Sequence, residues 1–397
     1  MPLLKNPFNL ESTTQHFDLT HGFLPKAEPI AQLPRIFNVW EKTAIRLPKL
    51  LLSEHLRTMI ESLPEFPVNA LTSLDEIERA MLLLSYLGHA YVWQAGQQPA
   101  VMLPRHLAMA WYAVSELLQR PPILSYASYA LYNWQKINPD GPIALGNIAL
   151  LQNFLGGIDE EWFILIHVDI EHRATPALQA ILPALQAVCL QNLPDLAAAL
   201  QTIAAGLEAM VKTLERMPEH CDPYIYYNRV RPYIHGWKAN PALPLGIIYD
   251  GVAAYQQQPV KFKGETGAQS TIIPVLDAAL GITHANNPLK EHLQEMRQYM
   301  PLSHRRFLET VEQGPKIRDF ILQQPASDLL QQIKKSFNQV IELIHAFRTT
   351  HIHYAAQYIQ KQSASATGNP TDVGTGGTPF MEYLRKHQQE TLHHLIP

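Results

Sequence analysis

A chain of 397 residues with 47% hydrophobic and only 17% charged side chains has the composition of a globular protein able to bury a sizeable core, and not that of a disordered one. Its 31 lysines and arginines against 35 aspartates and glutamates leave a net charge of −4, which gives no footing for nucleic acid as a partner. Two cysteines, Cys189 and Cys221, exclude a disulfide framework and suit a reducing cytosol; no segment reads as a signal peptide or membrane span, since Pro183 and Pro194 break the most apolar stretch.

The proline-punctuated text up to about residue 45 predicts an irregular arm over the surface. Helices follow. Pro48 to Ser62 reads as one, Ser73 with Glu76 forms a capping box ahead of Ile77, Met81, Leu84 and Leu87, and Pro104 opens a third that runs through Leu118. Alternating, strand-like text is scarce, so the expected class is all-α. Residues 1–119 are expected to form an arm and a small helical domain that covers something, and residues 120–397 a larger helical domain.

After Arg120 the text PPILSYASYALYNW predicts an apolar, aromatic helix ended by the loop Ile137 to Gly141. Tyr126, Tyr129 and Trp134 on it are candidates to line a pocket, although aromatics at this spacing ordinarily serve as plain core. Glu160 to Ala174 is a second helix, with Phe163, Ile164 and His167 one turn apart on one face. Glu171 and His172 nearby form no HExxH pattern, and the expectation for them is a solvated pair; a non-haem metal hydrolase built on His167 and Glu171 is the weakest reading of the chain.

Pro183 to Met217 gives two alanine- and leucine-rich scaffold helices. Asp222 and Pro223 then start a helix with Tyr226, Tyr227 and Arg231, which Pro232 should kink or end. An arginine beside aromatics can clamp a carboxylate with its fork of donors, while a structural ion pair is the commoner use. Tyr249 to Ser270 reads as a long loop, Thr271 to Leu280 as a helix carrying Asp277, and Ser363 to Thr378 as a glycine- and serine-rich lid or linker.

The strongest element is the helix from Ser327 to Gln360. Ser327 suits the N-cap, Asp328 suits the positive helix end, and no glycine or proline interrupts. Leu330, Ile333, Phe337, Val340, Ile341, Ile344, Phe347, His351, Tyr354, Ala355 and Tyr358 share one face, which aims His351 at the core and leaves His353 on the solvated side. An inward histidine is most often a neutral imidazole bonded to a buried carbonyl; the sharper reading is a metal or haem ligand.

Taken together, RTTHIHYAAQYI (348–359), GTGGTPFMEYL (374–384), MRQYMPLSHRRFL (296–308), RPYIHGWKANP (231–241), PPILSYASYALYNW and WFILIHVDI resemble, in order, the indoleamine 2,3-dioxygenase family from about Arg120 onward. The resemblance implies an all-helical large domain that binds haem b, capped by the smaller N-terminal domain. His351 of the Arg-x-x-His motif then becomes the proximal iron ligand, with Arg348 on a haem propionate supported by Asp277. On the distal side it implies Tyr126, Tyr129, Phe163, Ile164, His167, Tyr226 and Tyr227 as pocket residues and Arg231 on the substrate carboxylate. The loop Thr266, Gly267 and Ala268 would lie over the amino group, its last two residues also against haem, and Thr375 would close the lid.

Compared with the best-known animal members, His167 stands in place of a small hydroxyl residue, Tyr129 in place of a small side chain, and Tyr226 and Tyr227 in place of phenylalanines. A distal histidine is similar to that of tryptophan 2,3-dioxygenases, where it accepts the indole N–H. The implied reaction is addition of O2 across the C2–C3 bond of L-tryptophan or another indole, giving an N-formylkynurenine-type product of the kynurenine pathway, in a cytoplasmic monomer or small homo-oligomer served by an electron donor for haem reduction. Three roles stand open for His167: acceptor for the indole N–H, hydrogen-bond partner of oxygen, or a sixth iron ligand. The alternatives are a haem monooxygenase or rearranging enzyme of indoles, and a non-catalytic bis-histidine haem sensor.

Overall fold

Helices make up nearly all of the regular structure, as the scarcity of alternating segments requires. A computed structural model describes residues 18–363 and 381–397. In chain order the helices are α1 (Asn38–Ile45), α2 (Leu47–Leu50), α3 (Leu56–Glu61), α4 (Leu74–Val92), α5 (Arg105–Leu118), α6 (Ile158–Arg173), α7 (Thr175–Cys189), α8 (Leu193–Leu214), α9 (Pro223–Ile225), α10 (Arg231–Ile234), α11 (Ile272–Leu280), α12 (Pro288–Met296), α13 (Leu302–Gln313), α14 (Ile317–Leu322), α15 (Asp328–Ala355), α16 (Lys361–Ser363) and α17 (Met381–Leu392). Among the described residues, strands are short pairs: β1 (Met102–Leu103) runs parallel to β4 (Ile248–Tyr249), and β2 (Trp134–Lys136) antiparallel to β3 (Ile148–Leu150).

Several boundaries differ from the expectation, each for a local reason. The arm turns helical earlier than about residue 45, at Arg35, because Glu41 accepts from Leu33 N at 2.8 Å and pairs with the buried Arg79 at 2.7 Å, pinning α1 to α4. Pro48 to Ser62 is two helices, since the Ser53 hydroxyl donates to the Leu50 carbonyl and a turn intervenes. Ser73 caps α4 as expected, yet Glu76 reaches Thr72 N at 2.6 Å, one residue beyond the usual box. The expected aromatic helix stops early: Trp134 lies in β2, where the pairing with β3 replaces the loop-terminated helix.

Three π-helical turns, Ala127–Leu131, Tyr226–Val230 and Ala356–Gln360, interrupt the helical text. Each follows or contains candidate site residues, and a π-turn rotates the side chains after it by one extra residue, a device common at functional sites. Nothing in the 3.6-residue periodicity announces them.

Two apolar clusters fill the molecule. The first gathers α1 to α5, the aromatic stretch 123–134 and residues from 233 to 252, and includes Ile164 and Val168. The second gathers α7, α8, α11 and the stripe Leu330, Ile333, Phe337, Val340, Ile341 and Ile344 of α15. Helix α15 packs on α8 and α17, and α8 packs on α7, where a Cβ on Gly206 would meet Ala177 N at 2.9 Å. Helix α6 lies between the clusters: Ile164 belongs to the first and Ile166 to the second. No described helix is long and apolar enough to cross a membrane.

Candidate functional site

The face of α6 that carries Phe163 and His167 meets the aromatic side chains of two π-turns. The Phe163 ring lies 4.5 Å from that of Tyr226 and 4.7 Å from that of His167, centroid to centroid. Tyr126 stands edge-on to His167 at 5.9 Å, Tyr129 is 6.4 Å from Phe163, and Tyr226 is 5.8 Å from Tyr358, beyond the end of α15. Edge-to-face and tilted aromatic pairs at these separations are attractive beyond their burial. Ile164, by contrast, is fully buried in the first core.

His167 Nδ1 sits 2.7 Å from the Phe163 carbonyl. A carbonyl only accepts, so Nδ1 carries the proton and donates, and Nε2 of the neutral ring keeps a lone pair. Burial pulls the His167 pKa down to about 4, against the Phe163 bond, and the His351 imidazole lowers it further. The two rings are thus close enough to feel each other's charge, although they lie on different helices 184 positions apart in the chain.

His351 departs from the expected inward packing. The apolar stripe of α15 holds through Ile344, after which Phe347 and Tyr354 are half-buried and His351 is exposed. Yet desolvation by surrounding protein lowers its pKa. Among the described residues it makes no hydrogen bond, so a nitrogen is uncommitted. His353 is exposed, as expected.

One turn before His351, Arg348 donates to Asp277 Oδ2 at 2.5 Å and to Thr391 Oγ1 of α17 at 2.5 Å. Burial would raise the Asp277 pKa, but the Arg348 charge and His284 outweigh it and hold the carboxyl below its usual range. Arg231 is fully buried, with its guanidinium 5.1 Å over the Tyr227 ring. Burial lowers its pKa, and the neighbouring tyrosines act against this.

The loop Thr266 to Ala268 is a 3-10 turn capped by Thr266 Oγ1. It is held from behind by a crossing in which Gly264 and Gly236 meet backbone to backbone; a Cβ on Gly236 would come within 2.2 Å of Gly264 N. Gln269 ties this loop to the aromatic stretch, accepting from Tyr126 N at 2.8 Å. Thr375 and the lid after Ser363 lie outside the described residues.

Glu171 overturns the expectation of a solvated pair with His172. It is buried and accepts from the Tyr126 hydroxyl at 2.9 Å and Ser270 Oγ at 2.7 Å, because it lies one turn after His167 on the same inward face. Burial pushes its pKa up to about 7, despite both hydrogen bonds. Sequence reasoning also passed over Glu265, buried in the same loop, whose carboxyl is pushed up to about 8 by burial and whose charge raises the pKa values of Tyr126, Tyr129 and Tyr226. Its only signal was a carboxylate flanked by glycines, KGETG.

The arrangement is a cluster of aromatic side chains around one unprotonated imidazole nitrogen, with a buried guanidinium over Tyr227 and a second imidazole near enough to act on the first through its charge. The family model "Indoleamine 2,3-dioxygenase" matches residues 13–394. The chain is 35% identical to human "Indoleamine 2,3-dioxygenase 2", over 98% of this chain and 96% of that protein. It is 37% identical to "Indoleamine 2,3-dioxygenase 1" of Rattus norvegicus, over 95% and 93%. A yeast relative, "Indoleamine 2,3-dioxygenase" of Saccharomyces cerevisiae, is 29% identical over 94% and 91%. The chain therefore belongs to the indoleamine 2,3-dioxygenase family of haem-dependent dioxygenases.

Proposed function

We propose that the protein adds both atoms of O2 across the C2–C3 bond of L-tryptophan or a closely related indole, giving an N-formylkynurenine-type product. The observation that carries this reading is the cluster of Phe163, Tyr126, Tyr129 and Tyr226 about His167, whose Nδ1 is bonded to the Phe163 carbonyl and whose Nε2 keeps a lone pair. The residues fit a haem: His351 offers a nitrogen that makes no hydrogen bond among the described residues, the donor expected of a proximal ligand. His351 would hold the iron, Arg348 with Asp277 would face a propionate, and Gly267 and Ala268 would border the group. Bound haem supplies the redox-active iron for oxygen chemistry.

The chain's own residues bind and orient the indole. Phe163, Tyr126, Tyr129 and Tyr226 sandwich a flat, apolar ring and exclude water. His167 Nε2, unprotonated because Nδ1–H is donated to Phe163, accepts the indole N–H. The same tautomer has no Nε2 proton to give to oxygen, which disfavours the second of the three roles for His167. Arg231 takes the carboxylate through its fork of donors, and Thr266 borders the amino group. Residues before 120 act as the cap of the larger domain.

The two imidazoles, His167 and His351, also favour one second reading, a bis-histidine haem protein without turnover, since Nε2 of His167 suits a metal as well as an indole N–H. One experiment separates the readings. Reduced, haem-loaded protein is given labelled O2 with L-tryptophan and, separately, indole, and product mass is read. Two labelled oxygens support dioxygenation, one labelled oxygen refutes it in favour of monooxygenation, and a low-spin spectrum without product favours the non-catalytic protein.

A further inference from the structure

Beside the site, the start of the loop after α11 meets α17. His284 lies in that loop, and His387 and Glu390 lie three residues apart on one face of α17. One ligand atom from each of the three falls within 4.8 Å of the other two. The His284 and His387 rings lie parallel, 4.1 Å apart with 7° between planes, and His284 Nδ1 is 3.0 Å from Glu390 Oε2. Two imidazoles and a carboxylate are the donor set of a three-ligand zinc site.

The surroundings are those a metal-bound histidine uses. The far nitrogen of His284, Nε2, accepts from Arg348 Nη2 at 3.3 Å and lies 3.5 Å from Asp277 Oδ2, and Asp277 Oδ1 has no hydrogen-bond partner among the described residues. A carboxylate behind a ligating imidazole fixes its tautomer and orientation. For His387, Asn287 Oδ1 is already bonded to Lys290 N, so the Asn287 amide donates to His387 Nε2, which therefore carries a lone pair and no proton.

We propose that His284, His387 and Glu390 bind a divalent transition metal of the zinc class, clamping α17 to the loop that follows α11. On binding, the proton of His284 moves from Nδ1, which takes the metal, to Nε2, which exchanges the hydrogen bond from Arg348 for donation to Asp277, leaving the imidazole neutral. His387 Nε2 exchanges the Asn287 amide for the ion, the stacked rings tilt apart so that both nitrogens reach it, and its remaining position is left to water. Asp277 also holds Arg348, one turn from His351, so the clamp braces the helix that carries the candidate iron ligand.

The test is zinc binding by the haem-loaded full chain, with zinc and iron counted separately by elemental analysis after gel filtration. One zinc per chain is expected, lost in His387→Ala and Glu390→Gln, and kept in His345→Ala, whose imidazole on α15 bonds Gln388 O outside the cluster. Asp277→Asn should weaken zinc about 10- to 100-fold. Zinc should also raise the melting temperature of the unaltered chain. If a ligand variant fails to fold, X-ray absorption at the zinc edge of the unaltered chain decides: a shell with two imidazole nitrogens supports the site, and a shell without imidazole overturns it. No retained zinc, or equal zinc in Glu390→Gln, also overturns it.

Discussion

Replacing Arg231 with alanine separates a carboxylate clamp from a structural arginine. The side chain is fully buried and stacks over Tyr227 at 5.1 Å, so two losses occur at once. Losing the cation–aromatic contact costs about 0.5–2 kcal/mol and falls on any substrate alike. Losing a desolvated charged hydrogen bond to a carboxylate costs about 2–5 kcal/mol, but only for a substrate that has one. Since each 1.36 kcal/mol is about tenfold in rate, kcat/KM should fall roughly 30- to 5,000-fold for L-tryptophan from the second loss, on top of the shared one. The shared loss cancels in the ratio of kcat/KM for L-tryptophan to that for indole, which should therefore drop by the same roughly 30- to 5,000-fold. Rates are normalised to bound haem from the Soret band, and the melting curve separates misfolding from lost recognition. Arg231→Lys keeps the charge but not the fork and should fall between. Equal loss for both substrates would show that Arg231 holds the fold and not the carboxylate.

His351→Ala should purify with little tightly bound haem, read as the Soret ratio, and added imidazole should restore part of it; an unchanged spectrum would remove His351 from the iron. With its pKa near 4, His167 stays neutral at ordinary pH, so the indole binding constant should be flat from about pH 8 to about 5.5 and weaken only toward pH 4. That window lies below the one an unperturbed histidine would give, and a midpoint near the ordinary value of about 6.5 would contradict the buried tautomer. Glu171→Ala leaves the Tyr126 and Ser270 hydroxyls without their shared acceptor, which should cost about 1–3 kcal/mol in chemical denaturation and raise KM, while Glu171→Gln recovers most of the stability. His89 is fully buried, bonded between Tyr233 O and Leu124 N, and burial pulls its pKa down to about 3. Its unfolded form takes up a proton first, so stability should fall as pH drops from about 6.5 toward 3, by up to about 1.4 kcal/mol per pH unit for this one group. His89→Gln should flatten that slope, and an unchanged slope would assign the loss to other groups.

The all-helical class, the long helix with its Ser327 cap, the α4 cap and the candidate residues His351, His167 and Arg231 were legible in the sequence, because each rests on spacing within one helix or on a motif within a short stretch. Spacing places Phe163 and His167 on one face wherever that helix packs. What only the tertiary structure decided involves pairs distant in the chain. Glu171 looked solvated until Tyr126 and Ser270 arrived from other segments to bury it, and His351 looked like core, yet the packing that covers the stripe through Ile344 leaves it exposed. The π-turns Tyr226–Val230 and Ala356–Gln360 have no counterpart in the 3.6-residue periodicity of the sequence. The tautomer of His167 depended on its own Phe163 carbonyl, four residues away, but its depressed pKa depended on burial by other segments and, less, on His351, 184 positions further along. Burial and through-space charge are properties of the assembled molecule, and the sequence alone cannot assign them.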